Sequence, residues 1–383
     1  MQTSVSHLSE IAAHTIGVES LSIGSDVHVK LGFDATSPNL HLGHLVPLRA
    51  FKSLMEEGCQ GTIILGDSTA RIGDPSGQDK SRPILPMDET QLNARTLASS
   101  ITSFLAGCGN NWQFAPNSLF EPSLSELIPL LKSVSVSSML RRTHFADRFS
   151  RGDSISLSEM ICPVLQGWDS VQLNCDLEIG GCDQLANCTL ARDMMGRAGQ
   201  SRQAVMLFPL LTGVDGVQKM SKSLRNHISL NDEPCDVFGK VMSIPDTLIG
   251  EWSKLLLHRV AEGDTPLEQK QRLAFDVTGL VHGTIKAQSA RNWFRRTVQG
   301  KVVSIDREIQ IGRGEVPVIQ AVIQAGYATS NSDARRLIAG GGVRIDGERI
   351  EASAFITADC VLQKGRRNAV RCVTGDKNAS RNK

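Results

Sequence analysis

Two short apolar segments flanking one amphipathic helical pattern constrain this chain more than any other feature. Residues His28 to Phe33, within VHVKLGF, read as a strand; Thr62 to Leu65, within GTIILGD, read as a second, rich in β-branched side chains. Between them, in LGHLVPLRAFKSLMEEG, the apolar residues Leu45, Leu48, Phe51, Leu54 and Met55 recur close to helical spacing, and the run stops at Gly58. Strand, helix and strand in this order form a βαβ unit, which places the two strands parallel. The expected fold class is therefore α/β, a Rossmann-like parallel sheet whose ligand site lies at the carboxyl ends of its strands. QAVMLFPLL, Gln203 to Leu211, reads as another buried strand, and GVDGVQKMSKSLRN after it reads as a mobile surface loop.

With 383 residues the chain exceeds one typical domain. Residues 1–230 hold the parallel-sheet pattern, and 231–297 read as a helical domain with Phe238, Val241, Met242, Leu255, Leu256 and Leu257 apolar. Residues 298–315 mix charge and glycine without a period, as a linker does. Residues 316–375 have the pattern of a small α+β domain. Val318, Ile319, Val322 and Ile323 mark a short helix that stops at Gly326, and Ser330 can cap a second helix with Ala334, Leu337 and Ile338 inward. Val343 and Ile345 alternate toward an Asp346-Gly347 turn, and KGRRNAVRCV suggests a strand pair with Lys364, Arg366, Arg367 and Arg371 exposed. The tail, residues 376–383, reads as disordered.

A formal net charge of +1 gives no bulk attraction to nucleic acid, so any RNA contact must come from local basic patches. Arg335, Arg336, Arg344, Arg349, Arg366 and Arg367 supply one in the last domain. The nine cysteines form no CxxC pair and have no histidine at zinc-ligand spacing; they read as reduced thiols, and no metal site is expected. The segment MQTSVSHLSE lacks a basic start followed by an apolar run, and no stretch of about 18 apolar residues occurs, so a cytoplasmic location without a membrane partner is expected.

Two motifs carry chemistry. HLGH, His41 to His44, opens the helix of the βαβ unit, where unpaired backbone N–H groups favour anions, and two imidazoles add donors along the same face. Gly43 would let a nucleotide approach the backbone. KMSKS, Lys219 to Ser223, offers two lysines in a loop, able to stabilise charge developing on a leaving pyrophosphate. Two histidines in a helical turn are commonly structural, and a lysine-serine loop is commonly solvated surface; their combination, about 180 residues apart, resembles the signature of the class I aminoacyl-tRNA synthetases.

The stretches GFDATSPNLHLGH, GDSTARIGDPSG, LQGWDS, EIGGCDQ and DGVQKMSKS resemble, in order and spacing, the bacterial tyrosyl-tRNA synthetases, especially the branch with a lysine two residues before the GFD glycine, here Lys30. SNSDARRLIAGGGVRIDGE is similar to the S4-type RNA-binding domain that this family carries. The resemblance implies formation of tyrosyl-adenylate from tyrosine and ATP, then transfer to the 3′ end of tRNA(Tyr). It implies ATP as a substrate accompanied by Mg²⁺, no tightly bound cofactor, and a homodimer.

By the same resemblance His41 and His44 contact the ATP phosphates, with Thr36 on the γ-phosphate side, and Lys219 and Lys222 close over the triphosphate in the transition state. Arg82 adds charge beside pyrophosphate. Gly32, Asp34, Gly43, Gly181 and Asp183 line the nucleotide, Asp183 accepting from the ribose. Asp74 and Gln166 hold the α-ammonium, Gln184 orients the carboxylate, Asp169 accepts the phenolic hydroxyl, and Thr69 completes the amino-acid pocket. No side-chain nucleophile is needed, because the substrate carboxylate attacks the α-phosphate directly.

The chain departs from the family pattern inside the pocket. Cys162 stands where a tyrosine is usual, Trp168 replaces a tyrosine, Ser68 a phenylalanine, and Arg71 a small or apolar residue. Gln78 replaces a basic residue facing pyrophosphate, for which Lys80 or Arg82 would have to compensate, and Arg225 replaces a glycine after KMSKSL. Two alternatives stay open: a paralogue serving a tyrosine analogue, a biosynthetic pathway or inhibitor resistance, and an RNA-binding relative without catalysis.

Overall fold

The computed structural model describes residues 4–72, 84–299, 305, 307–312, 314–365 and 368–374. The chain divides into two compact units, Met1–Val281 and His282–Lys383.

The first unit is built on a sheet of six strands: β1 (His14–Ile16), β2 (His28–Asp34), β3 (Gln60–Gly66), β4 (Trp112–Pro116), β5 (Leu177–Gly181) and β6 (Ala204–Phe208), in the spatial order β1-β6-β5-β2-β3-β4. β2 pairs in parallel with β3 on one side and β5 on the other, and the β3–β4 and β5–β6 pairs are parallel too. β1 runs antiparallel along the β6 edge. The chain leaves β2 toward β3 and β4, then returns to β5 on the opposite side. That reversal opens a crevice at the carboxyl ends of β2 and β5, where ligands of such sheets bind.

The crossover from β2 to β3 is α1 (Leu42–Glu56), which buries Leu42, Leu45, Val46, Leu48, Phe51, Leu54 and Met55 against the sheet. Contact is close because Gly61 of β3 faces this helix: a Cβ there would lie 2.6 Å from Met55 Sδ and would run into the Phe51 ring. α2 (Leu157–Leu173) begins at Ser156, whose backbone N–H donates to Glu159 in a capping box. α3 (Leu185–Arg197) packs on it, with Met194 against Gly167.

The helical pattern expected over 231–297 is realised as α4 (Pro234–Met242), α5 (Ile249–Leu257), α6 (Pro266–His282) and a further helix, Thr284–Phe294, which belongs to the second unit. Phe238, Val241, Leu255 and Leu256 are buried. Thr212 ties this segment to the β6 side of the sheet, accepting from Trp252 Nε1 at 3.1 Å and donating its N–H to Glu251 at 2.9 Å. Residues 231–281 therefore pack within the same compact unit as 1–230.

In the second unit α7 (Val318–Gln324) and α8 (Asn331–Ala339) cover a five-stranded sheet. Its strands are β7 (Arg307–Ile311), β9 (Val343–Ile345), β10 (Glu348–Arg349), β12 (Cys360–Lys364) and β13 (Asn368–Thr374), in the order β10-β9-β12-β13-β7; β8 (Val316–Pro317) and β11 (Phe355–Ile356) form a separate pair. Val318, Val322, Ala334, Ile338, Val343, Leu362 and Val370 form the core. Ser330 Oγ accepts from the Asp333 N–H at 3.2 Å and caps α8. Asp346 (φ 50°) and Gly347 (φ 87°) turn the β9–β10 hairpin with the left-handed backbone that such a two-residue turn needs.

Two expectations change here. Part of the expected linker, Arg307–Ile311, is β7, paired in parallel with β13 with Ile309 and Ile311 turned into the core. Two apolar residues alternating with charge are too short a pattern to stand out. Lys364 is half-buried rather than exposed, because its ammonium donates to the Tyr327 carbonyl at 2.7 Å. Among the described residues no helix is long and apolar enough to cross a membrane.

Candidate active site

A cavity of about 820 Å³ opens at the carboxyl ends of β2 and β5. Its walls are the end of β2 (Gly32, Asp34, then Thr36), the start of α1 (His41, Gly43, His44), Thr69, the pocket face of α2 (Gln166, Asp169), the turn after β5 (Gly181, Asp183, Gln184) and the loop lysines Lys219 and Lys222. Residues from distant parts of the sequence thus meet around one space.

The histidines are held by the helix they open. His41 Nδ1 accepts from the Gly43 N–H at 3.2 Å, and the His41 N–H donates to His44 Nδ1 at 3.0 Å. With each Nδ1 accepting, the ring proton of each belongs on Nε2, so both rings present an N–H donor. Burial, with Lys222 nearby, pushes His44 down to about 3, and His41 lower still with the help of His44. Both are neutral at physiological pH, donors that add no positive charge. Pro47, inside α1, has no N–H to offer the Gly43 carbonyl.

The loop lysines already reach across the cavity. Lys219 Nζ lies 3.3 Å from Asp183 Oδ2, and Lys222 Nζ donates to the Asn39 carbonyl at 2.6 Å. Asn226 braces the loop from behind: its Oδ1 accepts from the Ser221 N–H at 2.8 Å, and its Nδ2 donates to the Lys219 carbonyl at 3.1 Å and to Asp215 at 2.8 Å. Arg225 sits at φ 54°, a left-handed conformation that glycine adopts without strain.

A second group of polar side chains forms the floor. Asp169 is buried, and Asn117 hydrogen-bonds to it. Burial pushes its carboxyl up to about 7; the Lys30 ammonium opposes this, while Glu178 and Asp34 add to it. Thr69 Oγ1 donates to Asp34 Oδ1 at 2.7 Å and accepts from Asn117 at 3.0 Å. Asn187 Nδ2 donates to both Gln166 Oε1 (3.1 Å) and Gln184 Oε1 (3.0 Å), which fixes both amides, and Arg142 holds Asn187 in turn at 2.7 Å. The arrangement gathers neutral donors, two cations and a buried carboxyl around one space.

Comparison with known proteins identifies this architecture. The model of the tRNA synthetases class I (W and Y) matches residues 23–299, and that of the S4 domain matches 319–358. The tyrosine-tRNA ligase of Thermotoga maritima is 37% identical over 365 residues, 91% of each chain. That of Thiobacillus denitrificans is 38% identical over 373 residues, 92% of this chain and 94% of the relative. The chain belongs to the tyrosyl-tRNA synthetase family. Among solved structures, the tyrosyl-tRNA synthetase of Archaeoglobus fulgidus, complexed with L-tyrosine, superposes with a TM-score of 0.59 at 22% identity, covering 75% of this chain and 98% of its own. A truncated mitochondrial enzyme of Aspergillus nidulans gives 0.63 at 20% identity, covering 77% and 94%. At such identities these two speak for the fold alone.

Asp74, Gln78, Lys80 and Arg82, like Arg366 and Arg367 of the last domain, lie outside the described residues. Arg335, Arg336, Arg344 and Arg349 are exposed on the second unit. Of the departures, Cys162 is buried on the cavity wall, Trp168 instead packs in the cluster of Val164, Val171 and Met194, and the Ser68 hydroxyl bonds Glu121. Sequence reading missed Glu178, Asn117, Asn187 and Asn226, and noted Lys30 only as a branch marker. Their one available signal was the oddity of a lysine inside an apolar strand.

Proposed function

We propose that this chain is a tyrosine-tRNA ligase, which activates L-tyrosine with ATP and passes the tyrosyl group to the 3′ end of tRNA(Tyr). The observation that carries the reading is the cavity that gathers two neutral Nε2 donors, two lysines and the buried Asp169 around one space. His41 and His44 hold the ATP phosphates, with Thr36 beside them. Lys219 leaves Asp183 as the ribose arrives and, with Lys222, follows the charge growing on pyrophosphate, binding that strengthens in the transition state and so raises the rate. Gly32, Asp34, Gly43 and Gly181 frame the nucleotide. Gln166, with Asp74, takes the α-ammonium, Gln184 steers the carboxylate in line with the α-phosphate, and Asp169 accepts from the phenolic hydroxyl beside Thr69. ATP brings Mg²⁺ as part of the substrate.

Residues 1–230 act as the catalytic region, 231–297 as a helical region, and 316–375 as the RNA-contacting domain through Arg335, Arg336, Arg344 and Arg349. A cytoplasmic homodimer is the working form. Its interface is supported by exposed apolar residues concentrated in one stretch, Leu119, Leu124, Ile128, Val136, Phe149 and Leu157, including a helix, Leu124–Lys132, with no buried residue. Pyrophosphate exchange across a panel of amino acids, followed by charging of tRNA(Tyr), tests the reading, and tyrosine is expected to stimulate exchange best. Cys162, a small thiol on the cavity wall, favours a tyrosine analogue as the second reading, which the same panel would expose. A mass in solution tests the dimer.

A further inference from the structure

Lys30 is fully buried in the middle of a central strand, and each of its three N–H donors is used. They go to Glu178 Oε1 at 3.0 Å, Ser170 Oγ at 2.7 Å and the Gln166 carbonyl at 2.9 Å. Lys30 and Glu178 are register partners on adjacent parallel strands, so their side chains leave the same face of the sheet toward α2. Ser170 and Gln166 are one helical turn apart on α2, and Asp169 lies between them. Glu178 is bonded in turn by Gln166 Nε2 at 3.2 Å and by Gln203 Nε2. The ion pair therefore grips the one turn of α2 that carries both Gln166 and Asp169.

A buried ion pair adds little net stability over apolar residues of the same shape, so stability alone gives weak reason for its presence. Its placement gives a better one. Among the described residues, the charged groups facing Asp169 are Lys30 and Asp34 from β2 and Glu178 from β5, with the Asn117 amide hydrogen-bonded to it. Lys30 is the one cation among them. None of its donors is left for a substrate, so it acts through its neighbours.

We propose that Lys30 and Glu178 form a specificity-setting positioning pair, clamping the Gln166–Ser170 turn of α2 and setting the charge of Asp169 as acceptor of the substrate hydroxyl. This rests on the reading of Asp169 given above. The two members act on Asp169 in opposite directions. Lys30 favours its carboxylate, and Glu178 disfavours it. A merely structural pair would leave the preference for tyrosine over phenylalanine unchanged in a variant that still folds.

The test is pyrophosphate exchange with tyrosine and with phenylalanine from pH 5.5 to 9. The enzymes are the parent, Glu178→Gln, Lys30→Met made in the Glu178→Gln background, and Asp169→Asn. Making Lys30→Met in that background avoids leaving a buried carboxylate without its cation. Tyrosine kcat/KM in the parent should fall on the acid side as Asp169 takes a proton. Glu178→Gln should move that limb to lower pH, and adding Lys30→Met should move it back up, by about one pH unit or more. The double variant should lose at least tenfold in preference for tyrosine over phenylalanine, with the loss in KM for tyrosine and KM for ATP unchanged. Limbs that stay put, or that move in the same direction in both steps, would overturn the clamp while Asp169→Asn still lowers the preference. An Asp169→Asn enzyme that keeps the parent's preference would overturn the reading of Asp169, and the clamp with it.

Discussion

Asp169→Asn should make the protein more stable and less selective at once. The substitution keeps the shape of the side chain and leaves an oxygen to accept from Asn117, but removes the charge. Burial, reinforced by Glu178 and Asp34, pushes the Asp169 carboxyl up to about 7 against the help of Lys30. An unfolded aspartate titrates near about 3.9. Between those two pH values the folded state binds more protons than the unfolded state, so stability falls as pH rises from about 4 to about 7 and stays low above. The penalty at pH 8 is on the order of 4 kcal/mol as an upper bound, and the uncharged amide of the variant would not bear it. At pH 4 the gain should vanish.

The effect on selectivity runs the other way. A hydrogen bond from tyrosine to a carboxylate contributes about 1.5 to 3 kcal/mol, and one to an amide oxygen about 0.5 to 1.5, so tyrosine kcat/KM should fall about tenfold. With phenylalanine bound, the parent must leave a buried carboxylate without a partner, at about 1 to 3 kcal/mol; the variant escapes much of that, so phenylalanine should improve about tenfold or more. Denaturant unfolding at pH 8 and pH 4 and pyrophosphate exchange at pH 8 measure the two halves. Unchanged preference for tyrosine, or equal destabilisation at both pH values, would refute the placement of a reluctantly ionised acceptor at this position.

Other substitutions separate site from scaffold. Lys219→Ala should lower kcat for tyrosine activation by at least about a hundredfold, while the unfolding midpoint barely moves. Its ion pair with Asp183 is about a third exposed and contributes less than about 1 kcal/mol. Gly61→Ala should do the reverse, destabilising by about 1 to 3 kcal/mol in thermal unfolding by pressing a methyl group into Phe51 and Met55, with kcat retained below the transition. Replacing Arg335, Arg344 and Arg349 together by alanine should weaken tRNA binding and reduce its salt dependence by about two to three in the log–log slope, with adenylate formation untouched.

The parts of this molecule legible in sequence are those whose demands are local. A helix start needs acceptors and small residues within a few positions, so HLGH announces itself; a two-residue hairpin turn needs left-handed backbone, so Asp346-Gly347 does too. Arg225 shows the limit of such reading. Its place after KMSKSL looks like a loss of freedom from the sequence, whereas the backbone keeps the left-handed turn with arginine in it. Glu178 shows a different limit. In LEIGG it looks like one charge in a strand, and its partner Lys30 lies far earlier in the chain. Yet Lys30 carried the clue, since an ammonium within VKLGF, in a strand flanked on both sides, cannot be buried without an acid in reach. In a parallel sheet the acid must come from a neighbouring strand at the same height or from the helix above. Of those positions Glu178 is the register partner of Lys30, and Asp169 stands on the helix that both strands support. The residues that touch substrate are thus found by motif, whereas the residues that set their charge are found by asking how an isolated buried ion is neutralised.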